Sequence, residues 1–121
     1  AARVSIEILY AIKDKMAPGV SMGEVFETAV KGAQKHGLGS RFLGLPDLKS
    51  KFIGHGIGLE LVENPILARG RHTLLTPGMV FAVEPKFIFK DEFAAGIESV
   101  VHVTDKGCEF LSRTDNKIFY C

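Results

Sequence analysis

Apolar residues recur at four-residue steps at the start of the chain. Val4, Ile8, Ile12 and Met16 form one row with Leu9 beside it, a spacing that predicts a helix. Pro18-Gly19 stops it. Ser21 followed by Glu24 is a capping-box pair. It predicts a second helix with Val25, Phe26, Ala29, Val30 and Ala33 as its buried stripe, closing at Gly37 after His36. Residues 38–50 carry Gly39, Gly44 and Pro46 and predict a loop. From about residue 51 the pattern changes to short β-like runs: KFIGHGIGLEL (51–61), MVFAVEPKFIF (79–89), GIESVVHVT (96–104) and CEFLS (108–112). Turn signals separate them at Asn64-Pro65, Pro77-Gly78, Lys90-Asp91 and Asp105-Lys106-Gly107. Helices first and strands second predict an α+β fold, with two N-terminal helices packed on one face of a mostly antiparallel sheet.

Length and composition refine this picture only slightly. With 121 residues and 46% hydrophobic content, one domain with a real core is expected over residues 1–121. The formal net charge of +1 gives no drive toward nucleic acid or an anionic membrane. No run approaches the roughly 18 apolar residues of a spanning helix. Residues 1–16 carry charges throughout and lack the pattern of a secretory signal. Cys108 and Cys121 form no CxxC, so two reduced thiols in a cytoplasmic protein are expected. The chain also opens inside a helical pattern with no cap, as a piece of a longer protein would.

Three residues stand out for chemistry. Glu84 interrupts the apolar run Met79-Val80-Phe81-Ala82-Val83, where an ionised carboxylate needs a basic partner or a metal. Glu98 is the one acid in Gly96–Val103, and at period two it would share a strand face with Val100 and His102. His55 lies between Gly54 and Gly56, which free the backbone and leave room around the imidazole. One imidazole and two carboxylates form a mixed N/O set suited to Mn, Fe, Co or Zn. His102 is better explained as a core or surface histidine, since four residues of strand span about 13 Å. His36 and His72 sit in polar, turn-rich surroundings and are expected to be exposed.

At this point the residues resemble a known family. GHGIGLELVENP (54–65), TPGMVFAVEP (76–85), GIESVVHVTDKG (96–107) and PGVSMGEV (18–25) are similar, in order, to segments of metallopeptidases of the Xaa-Pro aminopeptidase, prolidase and creatinase kind. The resemblance implies the C-terminal half of a pita-bread fold. It also implies a two-metal centre of two Asp, one His and two Glu. The His falls on His55 and the two Glu on Glu84 and Glu98, while the two Asp would lie before residue 1. By resemblance His55 holds one ion, Glu98 bridges both, and Glu84 is a ligand that also shuttles the proton of the attacking water. The substrate implied is a small peptide.

Several positions depart from the family pattern. Val62 stands where the family has a second, substrate-side His, Lys86 where it has Gly, Gly96 where it often has Arg, and Ser99 where it has Asp. With the Asp ligands missing, a partial or empty metal site and no activity of its own are expected of this chain. Self-association, most simply a homodimer, is expected through the face left by the missing half. The alternative is a non-catalytic pita-bread interaction module, which Val62 favours and the retained ligand residues oppose.

Overall fold

A computed structural model describes residues 1–118 of the chain. Cys121 lies outside the described residues. Helix α1 spans Ala2–Lys15 and α2 spans Met22–Lys35. The predicted stripes are the buried ones: Ile8, Leu9, Ile12 and Met16 from the first segment, and Val25, Phe26, Ala29 and Ala33 from the second. Val4 and Val30 pack at the margin of the same core. The Ser21–Glu24 capping box forms as its sequence implies. Loop residues 38–50 contain one short 3-10 turn, Gly39–Arg41.

Seven strands follow among the described residues: β1 Phe52–Gly56, β2 Glu63–Ala68, β3 Val80–Val83, β4 Lys86–Phe89, β5 Phe93–Gly96, β6 Ser99–Thr104 and β7 Gly107–Phe110. A five-stranded sheet has the order β2-β1-β3-β6-β7, and β4-β5 form a separate two-stranded sheet. Every pairing is antiparallel. In β6 burial alternates strictly, with Ser99, Val101 and Val103 inward. Phe81, Val83, Val101 and Val103 share one core with the apolar stripes of α1 and α2. This gives the expected layering of two helices on one face of an antiparallel sheet. Among the described residues no helix is long and apolar enough to cross a membrane.

The strand boundaries differ from the sequence expectation in four places, one of them the run 96–104, which splits with Gly96 ending β5 and Ser99 opening β6. The first run ends at Gly56, and residues 57–62 form an exposed bend. The next strand, β2, runs through the expected turn at Asn64-Pro65. Proline, which has no N–H to donate, is tolerated there because β2 is the edge of the sheet. The second run is not one strand. It breaks at Glu84-Pro85, sending β3 into the large sheet and β4 into the hairpin with β5.

Candidate metal centre

His55 is held on the central part of the sheet. Its strand β1 lies between β2 and β3. A Cβ at Gly54 would come within 2.6 Å of the Ala82 carbonyl oxygen and 3.1 Å of Leu67. Close approach of neighbouring strands is therefore what requires glycine there; neither Gly54 nor Gly56 has a positive φ. His55 is 5% exposed. Its Nδ1 is 2.9 Å from the Gly56 carbonyl oxygen. A carbonyl only accepts, so Nδ1 carries a proton and donates it, and Nε2 is the ring nitrogen that faces Glu84. Metal-ligating histidines are oriented by the same kind of second hydrogen bond.

Strand register brings Glu84 to this imidazole. His55 pairs with Ala82, which places Glu84 two residues further along the same face. The Glu84 amide donates to the Ile53 carbonyl at 2.8 Å and pins the chain just past the end of β3. Glu84 Oε1 then lies 3.7 Å from His55 Nε2, too far for a hydrogen bond. The other oxygen, Oε2, accepts a 2.7 Å hydrogen bond from Lys86 Nζ. Of the two remedies that the sequence left open for this carboxylate, the basic partner is visible, and it is Lys86. The sequence showed Lys86 only as a departure from a pattern. Its spacing of two from Glu84 was the available signal.

Glu98 is exposed and precedes β6, so it is not part of that strand as the period-two argument had it. Val83 pairs with Ser99, and continuing this register one step sets Glu98 opposite Glu84. The two carboxylates line a common cavity of about 270 Å³ with Lys86, Gly96 and Ile97. His102 lies elsewhere on β6, its Nδ1 3.2 Å from Glu109 Oε1 of β7. His36 and His72 are exposed, and His36 Nε2 lies 2.9 Å from Glu7. Val62 is exposed in the bend between β1 and β2. Ser99 is buried, and its hydroxyl has no hydrogen-bond partner.

His55 and Glu84 match a divalent cation in donor type, one imidazole nitrogen and carboxylate oxygens. In number they do not complete a site: among the described residues no group of three or more His, Cys, Asp or Glu is arranged to hold a metal ion. The arrangement is an imidazole–carboxylate pair with a third acid bordering it and an ammonium already seated on one carboxylate oxygen.

The profile of Metallopeptidase family M24 matches residues 1–105. Probable dipeptidase PepE of Mycobacterium tuberculosis is 34% identical over 105 residues, which cover 87% of this chain and 26% of that protein. Dipeptidase PepE from Mycobacterium ulcerans superposes with a TM-score of 0.87 at 28% identity, over 97% of this chain and 30% of that one. X-Pro aminopeptidase from Thermotoga maritima also gives 0.87, at 27% identity, over 98% of this chain and 32% of that one. The chain thus spans about a quarter to a third of the length of these proteins. With two helices on an antiparallel sheet, and with the family profile covering most of its length, the chain belongs to Metallopeptidase family M24.

Proposed function

We propose that this chain supplies one share of a divalent-metal centre that hydrolyses small peptides, with His55, Glu84 and Glu98 as its ligand residues. The observation that carries the proposal is the buried His55, oriented by the Gly56 carbonyl, with its Nε2 facing Glu84. Glu98 borders the same cavity. Mn, Co, Zn or Fe suits such donors. The bound metal would supply Lewis acidity to the peptide carbonyl and lower the pKa of the attacking water. Glu84 would take the proton of that water. His55 holds its tautomer through Gly56. Dipeptides and Xaa-Pro peptides are the substrate class that the relatives' names support.

The remaining ligands come from outside these 121 residues, so the chain alone binds metal weakly and does not turn over peptide. A second reading has its own support. Val62 has neither proton nor hydrogen bond to offer a reacting carbonyl, which favours a peptide-binding or interaction module. Calorimetry with Mn or Co, paired with an Xaa-Pro dipeptide assay, tests the proposal. Weak binding and no turnover by the chain alone are expected, with activity when the preceding segment is supplied. Tight binding of a metal pair or turnover by the chain alone would contradict the incompleteness. A preceding segment lacking both aspartates would favour the module.

A further inference from the structure

Lys86 opens β4 immediately after Pro85, and its cross-strand partner in β5 is Gly96. A Cβ at Gly96 would come within 2.7 Å of the Lys86 Cβ and 3.1 Å of the Pro85 carbonyl oxygen. A side chain at 96 therefore collides with a side chain at 86. The family pattern sets glycine at 86 and often arginine at 96. Here the cation and the glycine are exchanged across a single rung of the hairpin. The Ile97 amide donates to the Pro85 carbonyl at 3.2 Å and closes the base of this rung. The result is an ammonium 2.7 Å from Glu84 Oε2, on the oxygen that His55 does not approach.

The environment suits a displaceable partner. The Glu84 side chain is 21% exposed and that of Lys86 is 38% exposed. A half-buried carboxylate gains from a counter-charge beside it. The lysine stem is long and partly solvated, so its head can swing into water when a stronger cation arrives. We propose that Lys86 is a tethered counter-ion of Glu84 that competes with a divalent metal for the same carboxylate, and that Gly96 makes the room for it. This rests on the metal reading of Glu84 above. Metal loading then requires expulsion of a bound charge, and the hairpin keeps Glu84 neutralised when metal is absent.

Calorimetric titration of Mn(II) into the chain, with folding checked by circular dichroism, tests the competition. Lys86→Met removes the charge and keeps much of the stem. It should tighten Mn(II) binding by at least about tenfold, because a positive charge beside the metal position is lost. Lys86→Arg should leave the affinity near that of the parent. Glu84→Gln in the Lys86→Met background should erase the gain. If Lys86→Met does not fold, Lys86→Gln, which can still donate to Glu84, must show the tightening in its place. Equal affinity of the parent and the uncharged variants, lost in both with Glu84→Gln, would overturn the competition and leave the metal reading standing. No Mn(II) binding by any variant even at millimolar metal, where weak binding would still register, would overturn both. The spatial part has its own check. Gly96→Ala should lower the melting temperature of the parent more than that of Lys86→Gly, and an equal loss in both backgrounds would overturn it.

Discussion

Cys108 shows how position sets the chemistry of a single residue. It is a free thiol on β7, half-buried beside α1. Burial pushes the thiol up to about 11, against a smaller lowering by Lys13. At neutral pH it remains protonated, and the thiol is a poor nucleophile. Iodoacetamide at neutral pH should therefore modify Cys108 far more slowly than a free cysteine peptide, as read by mass mapping of the fragment that contains it. Rapid modification would mean that β7 opens locally. The folded state binds this proton more tightly than the unfolded one. Its contribution to stability is therefore present below the ordinary thiol range and falls as pH rises through it toward 11. Ser99 is a contrasting case at the same scale. Its buried hydroxyl is unsatisfied where the family pattern has an aspartate, and nothing in the structure explains the exchange.

Among the elements, α2 owes its start to local chemistry. The Ser21 hydroxyl accepts from the Glu24 amide at 3.2 Å, and the Glu24 carboxylate accepts from the Ser21 amide at 3.0 Å. That backbone hydrogen bond from Ser21 is the main cause that holds Glu24 below its ordinary 4.5. The Ser21 hydroxyl and then Lys15 add to it. A depressed carboxylate stabilises the fold above its unfolded value and ceases to do so as pH falls through the folded one. Ser21→Ala should cost about 1 kcal/mol at neutral pH. It should also flatten part of the loss of stability as pH falls below the ordinary 4.5, and only part, because the backbone amide at position 21 still donates to Glu24; urea unfolding at several pH values measures it. An unchanged acid limb would mean that Glu24 keeps its position without Ser21.

In the whole molecule the two faces of the large sheet have different neighbours. One is covered by α1 and α2 through Phe81, Val83, Val101 and Val103. The other carries His55, Ala82 and Val100 in one row, with Glu84 and Glu98 beyond it. Val80, Val100 and Ile66 are only half-buried, and Leu59, Leu61 and Val62 stand exposed in the bend between β1 and β2. Apolar surface of this kind beside a site usually meets a partner. The chain alone should self-associate at micromolar concentration, most simply as a twofold dimer across the site face. Light scattering after size exclusion should give the dimer mass, and Val100→Lys should shift it toward the monomer. A clean monomer at every concentration would show that this face needs no cover.

Local pattern carried much of this in the sequence itself. Ile8, Leu9, Ile12 and Met16 announced α1, because a helix repeats its contacts within one turn and one amphipathic stripe suffices to describe it. Ser21 and Glu24 announced the start of α2 for the same reason: the capping partners are three residues apart. His55 and Glu84 were conspicuous because glycines flank one and an apolar run encloses the other. Strand partners have no such local signature. Asn64-Pro65 looked like a turn, and only the edge position of β2 makes proline harmless there. The break at Glu84-Pro85 and the displacement of Glu98 from β6 depend on register between separate segments, and the spacing of two that links Lys86 to Glu84 becomes a contact only across that break. Register is decided by which faces the core can bury at once. Residue types and their local faces were therefore legible in the sequence. Which carboxylate meets which cation was settled only when the strands paired.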